Sequence, residues 1–98
     1  MPSFAPGQAV RIRCEVQRGA FPTEVLVTFE TAEGPLSGFV RRENVERAEG
    51  QHEGYIRATI QEVSGDTITV VVSGSFFTTT GLAYLNREWA KEHVKPAA

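Results

Sequence analysis

The feature that most constrains the fold of this chain is a repeated alternation of apolar and polar residues. It occurs in four segments, at residues 8–16, 24–31, 55–63 and 67–73. Successive strand residues point to opposite faces of a sheet, so a period of two predicts strands with one buried face. The residues expected to face inward are Val10, Ile12, Cys14, Val16, Val25, Val27, Phe29, Ile56, Ala58, Ile60, Ile68, Val70 and Val72.

Turn residues separate these segments and indicate how they connect. Residues 32–35 (Ala-Glu-Gly-Pro) lead into a third strand at 36–41, so the first three strands are expected to form a meander. Ser64-Gly65-Asp66 predicts a tight turn, which makes the last two segments a hairpin. The charged stretch 43–54 is interpreted as a short helical turn followed by an exposed surface loop.

The period changes near the C-terminus, where a helix is predicted over about residues 82–94. Thr80 or Asn86 is placed to cap its start, and Pro96 stops it. The apolar residues on its one face are Leu82, Leu85 and Trp89. The β-prone run before it either extends the sheet or forms a loop that lays Phe76 and Phe77 over one barrel mouth.

The length of 98 residues suits a single domain with one core, here residues 1–98. Hydrophobic residues make up 41% of the chain and charged residues 22%, which predicts a folded protein. We therefore expect a mainly β fold: a small antiparallel barrel of five or six strands over about residues 6–80, closed by the C-terminal helix.

The charge and the N-terminus bear on compartment and partners. Residues 1–7 lack a basic segment followed by an apolar one, and no apolar run is long enough to cross a bilayer, which predicts a cytoplasmic protein without membrane contact. The lone Cys14 fits a reduced, buried thiol. A net charge of −2 means that any phosphate binding must come from a local cluster of basic residues.

No group of residues has the spacing of a catalytic or metal site. The carboxylates form no evident acid and base pair, and His52, His93 and Cys14 do not have zinc-ligand spacing. No glycine-rich phosphate loop is present. The sequence therefore predicts a binding module rather than an enzyme, without a metal or cofactor.

One set of residues suggests a ligand, because arginines beside exposed aromatic rings neutralise phosphates and stack bases in single-stranded nucleic-acid binders. Alternation places these residues on outer strand faces. The candidate set is Arg11, Arg13, Phe39, Arg41, Tyr55 and Arg57. The alternative is that the arginines only solubilise the sheet, paired with Glu15, Glu30 and Glu62, while Phe39 packs into the core.

The two halves of the chain also show a faint internal similarity. Residues 10–19 align without a gap on residues 56–65, and residues 37–40 resemble residues 80–83. The similarity indicates either a duplicated barrel with pseudo-twofold symmetry or two amphipathic strands that each end in a glycine turn.

Three segments, taken in order, carry a resemblance to a known family. They are residues 6–10 (Pro-Gly-Gln-Ala-Val), residues 38–45 (Gly-Phe-Val-Arg-Arg-Glu-Asn-Val) and the hairpin at residues 55–73. Over about residues 6–74 they resemble the S-one-type RNA-binding domain, the OB-fold repeat of a ribosomal small-subunit protein.

The resemblance implies an OB-like barrel that binds single-stranded RNA. It implies contact through Phe39, with Arg41 beside it and Phe21 in the place of a second aromatic residue. An SH3-like barrel is the alternative, because a similar glycine-aromatic strand precedes a short helical turn there, and it favours a protein partner. A protein-interaction or assembly module would then use the segment around Phe76 and Phe77 or an unpaired strand edge.

Overall fold

The fold is mainly β, as a computed structural model shows for residues 4–19, 21–47, 52–72, 75–76 and 81–97. Within these residues nine strands form one antiparallel sheet that curls into a half-barrel, accompanied by one α-helix and one 3₁₀ turn. The strands are β1 (Ala9–Arg18), β2 (Glu24–Thr31), β3 (Gly34–Arg41), β4 (Val45–Arg47), β5 (Glu53–Ser64), β6 (Thr67–Val72), β7 (Ser75–Phe76), β8 (Leu82–Asn86) and β9 (Val94–Pro96). The helix is α1 (Arg87–His93), and the 3₁₀ turn spans Arg42–Asn44.

The alternation in the sequence predicts the core correctly. Every residue expected to face inward from β1, β2, β5 and β6 is buried, and the hairpin between β5 and β6 is formed. The predicted barrel-like sheet of five or six strands is confirmed, because six of the described strands have five or more residues. The short strands β4 and β9 were not predicted.

The predicted helix over residues 82–94 is wrong in its first part. Leu82–Asn86 is a strand, β8, which pairs with β6, and the helix begins only at Arg87. The spacing of Leu82 and Leu85 fits a helical face, but the same segment also alternates, with Ala83 and Leu85 buried. Pairing with the exposed edge of β6 decides between the two periods, because it satisfies the backbone hydrogen bonds of both strands.

Asn86 caps the helix, which confirms one of the two predicted capping residues. Its Oδ1 accepts hydrogen bonds from the backbone N–H groups of Glu88 at 2.9 Å and Trp89 at 3.2 Å. These bonds satisfy two of the amide groups that have no partner inside the helix. The helix ends at His93, before Pro96.

The stretch 43–54, predicted to be an exposed loop, contains strand structure at both ends. The 3₁₀ turn is present, but β4 follows it and pairs with β5, which itself begins at Glu53 rather than at Tyr55. Val45 is partly buried against the core, and its burial explains why β4 adds to the sheet. Residues 48–51 lie outside the described residues.

The segment around Phe76 is described only in part. Ser75–Phe76 forms β7 and pairs with β3, so these two residues extend the sheet. Residues 77–80, which include Phe77 and the capping candidate Thr80, lie outside the described residues.

The strand order is β7-β3-β2-β1-β5-β6-β8, with β4 added to β5 and β9 added to β1. The fourth long strand, β5, therefore lies beside the first, and β5-β1-β2-β3 form a Greek key. The tip of the β2–β3 hairpin reaches the far strand, because Ala32 N–H donates to the Tyr84 carbonyl at 2.7 Å. This hydrogen bond joins the β2–β3 hairpin to β8, at the far end of the strand order.

Each of the two central strands changes its partner midway along one edge. The edge of β1 pairs with β9 at residues 10–12 and with β2 at residues 15–18. In the same way, the edge of β5 pairs with β4 at residues 54–56 and with β6 at residues 58–64. The two strands pair with each other along their remaining edges.

The strand pairing has pseudo-twofold symmetry. The series β1, β2, β3, 3₁₀ turn, β4 repeats as β5, β6, β8, α1, β9, and each pairing of the first series has a counterpart in the second. Ile12 and Ile56 lie directly opposite each other at the centre, flanked by Val94 and Val45. The sequence alignment of residues 10–19 with residues 56–65 matched Val10 to Ile56. The symmetry of the strand pairing instead makes Ile12 equivalent to Ile56, a difference of two residues.

Candidate functional site

The outer face of the central strands carries a row of three cations. Arg11 of β1 lies directly opposite Lys95 of β9 on one side and Arg57 of β5 on the other. Arg57 and Lys95 are exposed, and 26% of the Arg11 side chain is exposed. We call these three residues the cationic row. Like charges directly opposite each other destabilise a strand pair, so this row has an energetic cost for the fold.

The next outward-facing row has a different composition. Tyr55 of β5 lies opposite Arg13 of β1 and opposite Glu46 of β4. We call these three residues the mixed row. Pseudo-twofold symmetry relates the two rows, so that Lys95, Arg11 and Arg57 correspond to Glu46, Tyr55 and Arg13.

The ring of Tyr55 joins the two rows. The Arg11 guanidinium carbon is 5.5 Å from the centre of the ring, and Lys95 Nζ is 5.4 Å from it. Both distances are within reach of a cation–π interaction, which extends to about 6 Å. Two cations and one partly exposed ring are therefore grouped on an uncovered face of the sheet.

Glutamates neutralise two of the arginines. Arg11 Nη1 lies 2.7 Å from Glu46 Oε1, and Arg11 Nε donates to the Pro96 carbonyl at 3.2 Å. Arg13 forms an ion pair with Glu53, whose hydrogen bond and charge raise the pKa of Arg13.

The acids in these pairs differ from those expected from the sequence. Glu15, Glu30 and Glu62 were the expected partners, and none of them forms an ion pair with an arginine among the described residues. Both partner acids, Glu46 and Glu53, fall in the stretch 43–54 that was predicted to be an exposed loop. Alternation also does not determine which residue lies diagonally across a neighbouring strand.

The side chain of Arg57 has no hydrogen-bond or ion-pair partner among the described residues. The symmetry explains the difference from Arg13, its equivalent on β1. Arg13 reaches Glu53, which lies diagonally across the strand pair, whereas the position diagonal to Arg57 is Ala9. One alanine in place of an acid therefore leaves the Arg57 charge without a partner.

A groove of about 500 Å³ lies alongside these side chains. It opens where β5 changes its partner from β4 to β6, and the 3₁₀ turn forms its far wall. Its polar lining residues are Arg11, Glu43, Asn44, Glu46, Tyr55 and Arg57. We call it the cationic groove, because Arg57 lines it without a neutralising partner.

Phe39, a predicted site residue, lies outside the cationic groove. It is partly buried on the outer face of β3, opposite Leu26 of β2, which in turn lies opposite Gln17 of β1. Gln17 is six residues along β1 from Arg11, roughly 20 Å at the usual strand rise. The sequence predicted the outward orientation of Phe39, but β2 lies between its strand and β1, which carries Arg11 and Arg13.

Arg41 lies at the margin of the groove. It is exposed, and its Nη1 is 3.3 Å from Oε1 of Glu43, which lines the groove. Phe21, the second aromatic residue implied by the family resemblance, lies in the β1–β2 connection with 65% of its surface exposed. Of the six predicted residues, the structure brings Arg11, Tyr55 and Arg57 into the groove, with Arg13 beside Tyr55.

Sequence reasoning missed Lys95, Asn44 and Glu46. Lys95 belongs to β9 and Glu46 to β4, and strands of three residues are too short for alternation to reveal. Their signal is the repeated pattern of an apolar residue followed by a charged one, Val45-Glu46 and Val94-Lys95, after a helical turn.

The described residues offer little for nucleophilic or metal chemistry. Burial raises the pKa of the Cys14 thiol to about 12, so this thiol is protonated at neutral pH. It donates a long hydrogen bond of 3.4 Å to the Gly54 carbonyl. No group of three or more His, Cys, Asp or Glu residues within the described ranges is placed to hold a metal ion.

Comparison with protein-family models, curated proteins and solved structures found no match to this chain. Among the described residues, no helix has the length and apolar character needed to span a membrane.

Proposed function

We propose that this chain is a non-enzymatic module that binds single-stranded RNA through the cationic groove. The observation that carries the proposal is the cationic row beside Tyr55, in which Arg57 has no acidic partner among the described residues. Phosphates provide the negative charge that this row lacks, and a base can stack on an aromatic ring.

The energetics of the row support an anionic ligand. Arg57 and Lys95 lie on either side of Arg11, whose charge is already balanced by Glu46, and a bound phosphate would neutralise the charge of Arg57. Asn44 adds an amide that can donate and accept hydrogen bonds at the far wall of the groove. The excess positive charge is local, which is compatible with a net charge of −2 for the whole chain.

The topology supports an OB-like barrel as the scaffold. The Greek-key order β5-β1-β2-β3 is the type of arrangement found in OB-fold barrels, which bind oligonucleotides on an outer face of the sheet. The resemblance of residues 6–74 to the S-one-type RNA-binding domain favours RNA as the nucleic acid. A buried, protonated Cys14 suits the cytoplasm, where thiols stay reduced.

Fluorescence anisotropy with labelled single-stranded RNA at low salt tests the proposal. Arg57→Gln removes the unpaired charge, and Ala9→Glu supplies an acid where the symmetry places Glu53. Both substitutions should weaken binding by about tenfold and reduce the slope of log affinity against log salt by about 0.7, the value for one phosphate contact on a single strand.

The matched control is Arg18→Gln. Arg18 is an exposed arginine at the far end of β1, so this variant loses the same charge outside the groove. It should bind RNA almost as well as the unaltered protein. The proposal is wrong if no single-stranded RNA pool binds at low salt, or if Arg18→Gln weakens binding as much as Arg57→Gln.

A second candidate function, protein–protein interaction or assembly, is favoured by an apolar strip on β6 and β8. Val71 and Tyr84 are 45% and 39% exposed, and Leu82 lies directly opposite Val71 on the same outer face. Sedimentation velocity over a range of protein concentrations tests it. Self-association that Val71→Thr abolishes would support this function, and a monomer at every concentration would count against assembly.

A further inference from the structure

A second groove, of about 820 Å³, opens beside α1. It lies where β1 changes its partner from β9 to β2, so Arg13 and Cys14 line it at the point between the two pairings. Trp89 and His93 of α1 form one wall, and Phe29 of β2 contributes to the lining. Its volume is within the range of about 300–1,000 Å³ that is usual for binding sites.

The helical wall of this groove is aromatic and held in place. The rings of Trp89 and His93 stack at a centroid distance of 4.5 Å and an interplanar angle of 8°. His93 Nδ1 is also 2.8 Å from the Trp89 carbonyl oxygen. Trp89 is partly buried and packs against the core, which leaves part of the indole accessible.

The charge of this groove differs from that of the cationic groove, whose lining has two arginines and two glutamates. Glu15, Glu30 and Glu53 line it against a single arginine, Arg13, which leaves an excess of two negative charges when the histidines are neutral. We call it the acidic groove. Glu15 and Glu53 lie directly opposite each other on β1 and β5, so here too the fold holds like charges together.

Two of these carboxylates have no cationic partner. Arg13 pairs with Glu53, whereas the hydrogen bond that Glu15 accepts comes from the neutral amide of Gln17 at 3.0 Å. The side chain of Glu30 is exposed and forms no hydrogen bond or ion pair with the described part of the chain. The groove therefore combines an accessible indole with two carboxylates that lack a counter-charge.

We propose that the acidic groove is a docking site for a basic segment of a partner protein. A lysine or arginine side chain of that segment lies against the indole of Trp89, with its charge balanced by Glu15 and Glu30. The aromatic face attracts a cation through its quadrupole, and the carboxylates supply the opposite charge. A polyanion such as RNA is repelled by the same carboxylates, so the charge of the groove selects the class of partner.

The intrinsic fluorescence of Trp89 tests this proposal directly, because it is the one tryptophan of the chain. The probes are a peptide of alternating glycine and lysine, the matching glycine–arginine peptide, and a glycine–glutamate peptide of equal length, all at low salt. Either basic peptide should change the Trp89 emission in a saturable way, and the acidic peptide should leave it unchanged.

Charge-neutralising variants locate the site. The double variant Glu15→Gln with Glu30→Gln keeps the shape of both side chains and should weaken binding of the basic peptide about fivefold or more. Glu62→Gln is the control, because Glu62 is an exposed acid of β5 that does not line the groove. It should leave the peptide affinity close to that of the unaltered protein.

The outcomes are distinguishable from those of the RNA proposal. Arg57→Gln should keep the peptide response even where it loses RNA binding. An emission that does not respond to either basic peptide overturns the inference, as does an equal response to the acidic peptide or an equal loss in Glu62→Gln. Emission that changes with protein concentration alone would assign the groove to a second copy of this chain and would also overturn it.

Discussion

The cationic row and the mixed row are equivalent positions of one pseudo-symmetric sheet, yet their charges differ. Lys95 stands where the other row has Glu46, and Arg11 stands where the other has Tyr55. Arg57 and Arg13 are the same residue type, but only Arg13 has an acid on its diagonal. The two rows share one backbone arrangement. A few differences between their outward-facing residues therefore leave positive charge unpaired in one row.

The inward-facing positions at the centre of the same strands do not diverge in this way. The central row is Val94, Ile12, Ile56 and Val45, with the same residue type at each pair of equivalent positions. Inward side chains must fill a close-packed interior, so their size and shape are constrained. Outward side chains contact solvent, so their charge can change at little cost to stability. Packing therefore constrains the central row, whereas it leaves the charges of the outer rows free to differ.

The largest expected effect concerns the central row. Ile12→Ala and Ile56→Ala should each lower the free energy of unfolding by about 2–5 kcal/mol, because both remove a fully buried side chain and leave a cavity. The two losses should agree within about 1 kcal/mol if the halves are equivalent in packing as well as in pairing. Urea denaturation gives both values, and a much larger loss in one variant would break the equivalence of the two halves.

The next largest effect concerns Gly54, where one half of the sheet has no room for the side chain that the other half accommodates. A Cβ atom on Gly54 would lie 2.8 Å from the Glu46 carbonyl oxygen, whereas its equivalent on β1, Val10, carries a full side chain. Gly54→Ala should lower the free energy of unfolding by about 1–3 kcal/mol through overpacking. It should also weaken the pairing of β4 with β5. Denaturation and amide exchange of the residues that pair β4 with β5 measure the two effects. Thr59→Ala, an exposed change on the same strand, should cost less than about 0.5 kcal/mol.

The helical turns of the two halves differ in how they begin. Asn86→Ala removes the side-chain cap of α1 and should cost about 1 kcal/mol. The 3₁₀ turn has no side-chain capping bond from Arg41, so Arg41→Ala should cost less than about 0.5 kcal/mol. Thermal unfolding of both variants checks the difference. Equal losses would mean that the cap of α1 contributes no more than an ordinary surface residue.

The smallest effect, and the one closest to function, concerns the two equivalent arginines. Arg57→Gln should raise the stability of the free protein by about 0.2–1 kcal/mol, because it removes a like-charge contact. Arg13→Gln should lower it, because it breaks the pair with Glu53. Urea denaturation at low and high salt tests the opposite signs, and salt should shrink both effects. Two changes of the same sign would contradict the assignment of Arg57 as unpaired.

The sequence by itself determined the five long strands β1, β2, β3, β5 and β6, the residues that they bury and the face that they expose. A period of two decides which face of a strand each side chain occupies, and this is a local property that Val10 or Ile68 reveals without knowledge of the fold. The same rule placed Arg11, Tyr55 and Arg57 outward, and local capping chemistry identified Asn86.

The tertiary structure alone decided which residues are neighbours. Alternation does not determine strand order, so it did not show that β2 lies between the strands of Phe39 and Arg11. It also did not show that Leu82–Asn86 pairs with β6 as a strand. Lys95 opposite Arg11 and Ala9 diagonal to Arg57 are likewise products of long-range pairing. Such pairing depends on how the whole sheet curls and closes, because a residue's neighbours across strands are distant in the sequence.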